Sequence, residues 1–184
     1  AIGPVAGSSH HSLYYRMPGI RIVSPMTPKE YEKAYADFMN SDDVFYVSEH
    51  RKSYDMQDEL NDIYFDNPDI TLFAISITRF NAVEASKIAK KQGIVVNVVH
   101  LYQIKPLIFS KSSLESLKYS KFGGIVLDDD YIDGISKNIA LDLNHLTRKT
   151  VNVMGLEDKS AGFYPEVDNL PPDPKKILNK IKNI

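Results

Sequence analysis

The chain has 184 residues, 43% hydrophobic and 25% charged, with a formal net charge of −2. That length permits one large domain or two small ones, and the near-balanced charge provides no strong field for nucleic acid or an anionic membrane. Cysteine is absent, which excludes disulfides, thiolate nucleophiles and cysteine-ligated zinc or iron–sulfur centres.

A loop opens the readable pattern. "GSSHHS", residues 7–12, is rich in glycine and serine and is expected to expose its side chains ahead of a strand. "IRIVSP", 20–25, reads as that strand, stopped by proline. "TPKEYEKAYADFMNS" follows, with Thr27 as N-cap, Pro28 at the first helical position and Glu30 at the capping-box position. Tyr31, Ala34, Tyr35 and Phe38 carry helical spacing. "DVFYVSEH", 43–50, is a second strand, so this unit favours parallel pairing through a right-handed crossover. Residues 51–69 are polar and acidic, contain Pro68 and show no period, as a linker or long surface crossing does.

A second alternation occupies the rest of the chain. Strands are expected at 70–77, 94–101, 123–130 and 149–156, and helices at 81–93, 112–121 and 131–146. "IKP" after the second of these strands reads as a turn. The last segment, 173–184, alternates Lys175, Lys176, Lys180 and Lys182 with Ile177, Leu178, Ile181 and Ile184, as an amphipathic helix with a solvated basic face does. Repeated strand–helix alternation points to an α/β fold, a three-layer α/β/α sandwich with a mostly parallel sheet.

Few residues suggest chemistry. His10 and His11 are adjacent and cannot both face one ion from a regular element. His50, His100 and His145 are isolated, and no zinc-binding histidine spacing occurs. No glycine-rich phosphate fingerprint is present. Asp128, Asp129 and Asp130 close an expected parallel strand, at the edge where α/β sheets place ligands; the plainer reading is a solvated loop that caps the next helix. His10 and His11 can shuttle protons near neutral pH or sit idle on a polar surface loop.

The order of these pieces resembles thiamine diphosphate enzymes. "AGSSHHSLYYRMPGIRIVSPMTPKEYEKAYADFMNSDDVFYVSEHRKSY" is similar to the later part of a pyrimidine-binding domain, in particular that of the beta subunit of 2-oxoacid dehydrogenases. The shared features are His11-Ser12, Pro18-Gly19, the strand at 20–25, the Thr27 helix, Glu49 and Tyr54. "ITLFAISITRFNAVEASKIAKKQGIVVNVVHLYQIKPL", "GGIVLDDDYIDGISKNIA" and "GFYPEVDNLPPDPKKI" resemble the transketolase C-terminal domain, including its Lys105-Pro106 turn.

The resemblance implies a division: 1–56 as the end of a pyrimidine-binding domain, 57–69 as linker, and 70–184 as a transketolase C-terminal-like domain. It implies His11 as the catalytic histidine on the substrate side of the cofactor. It implies a structural potassium ion in a loop near Phe38, Met39 and Asp43, where Ser41 stands in place of the usual aspartate. The implied reaction is decarboxylation of a 2-oxoacid, pyruvate or branched-chain, with the acyl group passed to a lipoyl carrier. Alternatives are a transketolase, a deoxyxylulose-phosphate-synthase-like transferase, or a non-catalytic assembly or regulatory module.

The cofactor-activating glutamate and the domain that holds thiamine diphosphate and magnesium would lie elsewhere, so the chain alone is expected to bind no cofactor and to be inactive. Implied partners are an alpha subunit or N-terminal domains, a lipoyl acyltransferase core, and a second copy through the C-terminal domain. Nucleic acid and membrane are not expected partners. A start at Ala1 suggests processing or a fragment, and the lack of cysteine and of a signal pattern suggests a cytoplasmic location.

Overall fold

Residues 9–162, 164 and 168–184 are described in the computed structural model. The chain begins there with α1 (His11–Tyr15), a single short helix. β1 (Ile20–Val23) follows, then α2 (Pro28–Met39) and β2 (Val44–Val47). β1 and β2 pair in parallel, Ile20 opposite Val44 through Val23 opposite Val47, with α2 as their crossover. Pro28 takes the first helical position as its missing N–H and fixed φ allow. The capping box does not form: the Thr27 side chain makes no cap bond, and Glu30 Oε2 accepts at 2.9 Å from the N–H of Met26, the residue before the cap.

A 3-10 turn at Arg51–Ser53 leads into the polar crossing. The crossing is fastened to the second sheet. Ile63 forms an antiparallel bridge with Val98, and Asp62 Oδ1 accepts from the His100 N–H at 2.7 Å. An otherwise open strand edge is thereby covered.

β3 (Ile70–Ile75), β4 (Val96–Leu101), β6 (Gly124–Tyr131) and β7 (Val151–Leu156) form an all-parallel sheet in the order β4-β3-β6-β7. Every residue of β3 is buried, because both faces of the sheet are covered. The period-two alternation divides its side chains between two cores. Ile70, Leu72 and Ala74 pack with Ala82, Ala85 and Ala89 of α3 (Thr78–Lys90) and with Ile177, Leu178 and Ile181 of α6 (Pro174–Lys182). Phe73 and Ile75 face Leu117 of α4 (Lys111–Tyr119) and Ile135, Ile139 and Leu143 of α5 (Ile135–Thr147). The three-layer α/β/α arrangement is the one the alternation implied.

Local boundaries moved. α3 starts at Thr78 rather than at residue 81, because Ser76 at φ 52° turns the chain immediately after β3. α5 starts at Ile135, four residues later than expected, because β6 extends to Tyr131. The stretch read as a turn overlaps β5 (Gln103–Lys105), which leaves the second sheet and pairs antiparallel with β1, giving a three-stranded sheet β2-β1-β5. Of the closing segment "GFYPEVDNLPPDPKKI", residues Phe163, Pro165, Glu166 and Val167 lie outside the described residues, as do Ala1 to Ser8.

The first section and the second sheet also meet through a buried ion pair. Arg79, 1% exposed, donates from both terminal nitrogens to Glu30, at 2.7 and 2.5 Å. Removing one partner strands a buried charge, which costs on the order of 3 kcal/mol. Glu30→Ala is therefore expected to lower the urea-unfolding free energy by about 3 kcal/mol, and Asp37→Ala, which breaks the exposed Lys33–Asp37 pair, by less than about 0.5 kcal/mol. Equal losses from the two would contradict this assignment.

Candidate functional site

In an open parallel sheet, ligands sit beyond the carboxyl ends of strands where the connections diverge. Here β3 connects onward to β4 on one side while β6 pairs on its other side, so the divergence lies between the ends of β3 and β6. β6 carries Asp128-Asp129-Asp130 just before its last residue, Tyr131, and β3 is followed by Ser76. Alternation along a strand would turn successive side chains to opposite faces, yet all three aspartates are buried. The pairing of β6 with β7 shifts register between Leu127 and Tyr131, which loosens the alternation at this point.

His11, 0% exposed, fills the space against these acids. Its Nε2 donates to Asp128 Oδ1 at 3.0 Å and lies 3.8 Å from Asp130 Oδ2, and its Nδ1 pairs with Ser48 Oγ at 3.3 Å. Asp129 Oδ2 accepts from the Ser76 hydroxyl at 2.6 Å. Asp130 accepts from the backbone N–H groups of Ser12 (3.0 Å) and Tyr131 (2.7 Å).

Ser12 performs a second task. Its hydroxyl accepts from the Ile135 N–H at 3.0 Å, so α1 caps the first turn of α5 from more than a hundred residues away. Gly134 permits that approach: a Cβ there would stand 2.2 Å from Ser12 Oγ and 2.9 Å from the Tyr131 carbonyl oxygen. Tyr14, on the same short helix, stacks on Tyr46 of β2 at 4.2 Å between ring centres.

The enclosure sets the protonation states. Burial pushes the His11 imidazole down, but Asp128, with Asp129 and Asp130 behind it, outweighs that and lifts it to about 9. His11 is thus an imidazolium at neutral pH. Burial pushes the Asp129 carboxyl up to about 6, against the lowering by His11, with Asp128 adding to the rise and the Ser76 and Ser9 hydroxyls opposing it. His100 goes the other way, down to about 3, through burial and then the Arg79 charge.

Two expectations from the sequence are corrected by this geometry. Residues 11 and 12 are not in an exposed loop; they begin α1, and His11 is sealed beneath it. The three aspartates are neither solvated nor capping, since they end a buried strand and α5 takes its N-cap at Gly134.

The loop resembling a cation site lies elsewhere, at the end of α2. There Phe38 and Met39 are exposed, the Ser41 N–H donates to the Phe38 carbonyl, and the Asp43 carboxylate is paired with Arg21 at 3.1 Å. Glu49 and Tyr54 do come together: Glu49 accepts from the Tyr35 and Tyr54 hydroxyls at 2.8 and 2.9 Å. They line a groove of about 340 Å³ with Pro28, Tyr31, Ser53 and Met56. Ser48 and Ser76 escaped the sequence reading, because a serine at a strand end has no local signature until its partner is placed beside it.

Among the described residues, His11, Asp128 and Asp129 form a group whose ligating atoms lie within 4.8 Å of one another. No glycine-rich turn among the described residues opens onto a helix in the manner of a diphosphate cradle, and the crevice is filled by His11. The residues at this edge do not fit thiamine diphosphate with its magnesium.

Comparison with known proteins bears on the same region. The family model for the transketolase C-terminal domain matches residues 61–163. No curated protein matches. Among solved structures, a split-gene transketolase described as an inactive beta4 tetramer superimposes at a TM-score of 0.71 with 18% identity, over 94% of this chain and 59% of its own. A Pichia stipitis transketolase mutant with xylulose-5-phosphate superimposes at 0.69 with 18% identity, over 98% of this chain and 27% of its own. A Campylobacter jejuni transketolase gives 0.65 with 19% identity, over 95% of this chain and 28% of its own. The chain thus spans from about a quarter to three-fifths of the transketolases it matches, and at these identities the likeness is one of fold. No helix among the described residues is long and apolar enough to cross a membrane.

The pKa shifts translate into a stability profile. His11 rises from 6.5 to about 9 on folding, so its contribution is complete below pH 6.5 and is lost as pH climbs through 9. Asp129 rises from 3.8 to about 6 and acts with the same sign at lower pH. In buffer free of divalent ions, unfolding free energy is expected to fall between pH 6.5 and 9 by on the order of a few kcal/mol. His11→Gln is expected to remove most of that slope, and a flat wild-type profile would contradict the assigned ion pair.

Proposed function

We propose, because the chain belongs to the transketolase C-terminal domain family, that it serves as the C-terminal section of a thiamine diphosphate-dependent transferase and works only in assembly with the section that holds the cofactor. The observation that carries this reading is the closed crevice: the natural ligand edge of the sheet is occupied by the chain's own His11 and three aspartates. The split-gene transketolase supports it: 59% of that chain, described as an inactive beta4 tetramer, is covered by this fold.

In this reading the sections 1–56, 57–69 and 70–184 keep their roles as the end of a pyrimidine-binding domain, a linker and a C-terminal domain, with β5 crossing back to bind the first to the third. The cofactor supplies the carbanion chemistry when bound in the assembly. His11 acts as a positioning residue. Through Asp130 and Ser12 it orients the start of the first section against α5, and thereby the wall that the first section presents to the partner. A direct catalytic role for His11 would require α1 to lift from the aspartates. The second copy docks through residues 70–184, and a potassium ion would have to displace Arg21 from Asp43.

The carbonyl substrate on this reading is a ketose phosphate, and the group moved is its two-carbon unit. The order His11-Ser12, Pro18-Gly19, Glu49 and Tyr54 favours a second reading, a 2-oxoacid dehydrogenase beta subunit with an alpha subunit and a lipoyl acyltransferase core as partners.

The test is isolation of the native assembly from its source cells, followed by thiamine diphosphate analysis and paired assays with xylulose-5-phosphate and an aldose acceptor, or with pyruvate and branched-chain 2-oxoacids. The expected result is a cofactor-bearing complex active on the first pair. Activity on 2-oxoacids alone would select the second reading. A cofactor-free, inactive chain with no cofactor-bearing partner would overturn both in favour of a non-catalytic module.

A further inference from the structure

The aspartate cluster is underpaired for a buried site. Asp130 is supplied with two backbone donors, and Asp128 Oδ1 takes His11 and the Asp130 N–H. Asp128 Oδ2 and Asp129 Oδ1 are enclosed with no partner in ordinary hydrogen-bond geometry among the described residues, although the Ser9 hydroxyl stands near enough to Asp129 to lower its carboxyl. Three buried carboxylates face one imidazole, and enclosed negative charge without donors is strongly unfavourable. A proton relieves one unit of charge. A divalent cation relieves two and gives the orphaned oxygens a partner.

We propose that His11, Asp128 and Asp129 form a binding site for a divalent transition-metal ion, zinc foremost, seated between the ends of β3 and β6. One imidazole nitrogen with two carboxylates is a donor set that suits zinc or manganese, and of these two zinc binds more tightly. The three ligand atoms already lie within 4.8 Å of one another. Four-coordinate zinc, with bonds of about 2.0–2.1 Å, holds its donors roughly 3.4 Å apart, so small side-chain rotations close the site. Ser76 Oγ, beside Asp129 at 2.6 Å, or a water supplies the fourth position. As the ion enters, His11 releases its Nε2 proton to solvent. The second ring nitrogen stays on Ser48 Oγ, which fixes the ring as outer partners of metal-bound histidines do.

The ion would tie three distant parts of the chain together: α1 through His11, and the neighbouring ends of β6 and β3 through the aspartates and Ser76. Its role would be structural, holding the first section on the second sheet.

The experiment titrates Zn²⁺ into the chelator-stripped full chain by calorimetry and follows the thermal midpoint, with His11→Gln, Asp129→Asn and the surface control His145→Gln alongside. The expected result is one equivalent bound with a raised midpoint, affinity lower by on the order of 100-fold or more in the first two variants, and no change in the third. Circular dichroism establishes that each variant is folded. X-ray absorption on the one-to-one wild-type complex decides independently of any variant, with one imidazole and otherwise oxygen donors expected. No saturable binding, binding undiminished in both folded variants, or a shell with several imidazoles would overturn the proposal.

Discussion

Three carboxylates in a row, held below the surface at the end of a parallel strand, constrain the rest of this molecule. An isolated buried carboxylate is expensive in a low-dielectric interior, so the neighbourhood must supply protons, donors or cations. The chain supplies them from far away in sequence: His11 from α1, itself held by Ser48 from beyond β2, Ser76 from beyond β3, and the amide of Ser12, whose hydroxyl also caps α5. A second tie, Glu30 to Arg79, crosses the same divide. The first section therefore docks on the second sheet by specific charge pairing as well as by the apolar layer around Ile22, Ile75 and Ile104.

The layers were readable from the sequence because they rest on local pattern. Mainly apolar runs, interrupted at Thr71 and Asn97, marked β3 and β4, and the helical spacing of Val83, Ala85, Ile88 and Ala89 marked α3, since these signals depend only on each element's own burial. The buried stripe of α3 takes in Ala82 in place of Val83 and Ile88. β5 was missed because three residues, Gln103 to Lys105, carry no periodicity, and their strand exists only once β1 lies alongside. The site was misread for a related reason. A serine- and histidine-rich run looks like surface, and an acidic triplet looks solvated, when each is considered alone. Each is buried only because the other is there. Pairwise burial of polar groups across 117 residues leaves no mark in either local pattern.

This chain has the fold of a transketolase C-terminal domain, joined to a three-stranded sheet in the order β2-β1-β5. The closed crevice between β3 and β6 gives up a ligand site to intramolecular pairing, and the groove beside Glu49, Tyr31 and Tyr54 remains open. On the proposed reading, chemistry that needs a cofactor would be completed by another section, and this chain would contribute shape, rigidity and an assembly surface. Function of this kind is legible in how the parts are tied together more than in any single reactive side chain.

The most direct test of the buried pairing is nitrogen-15 NMR of the His11 ring at pH 7.5 in buffer stripped of divalent ions. The account requires both ring nitrogens to be protonated there, with Nε2 hydrogen-bonded to Asp128. A neutral imidazole at that pH, titrating near 6.5 like an exposed histidine, would contradict it.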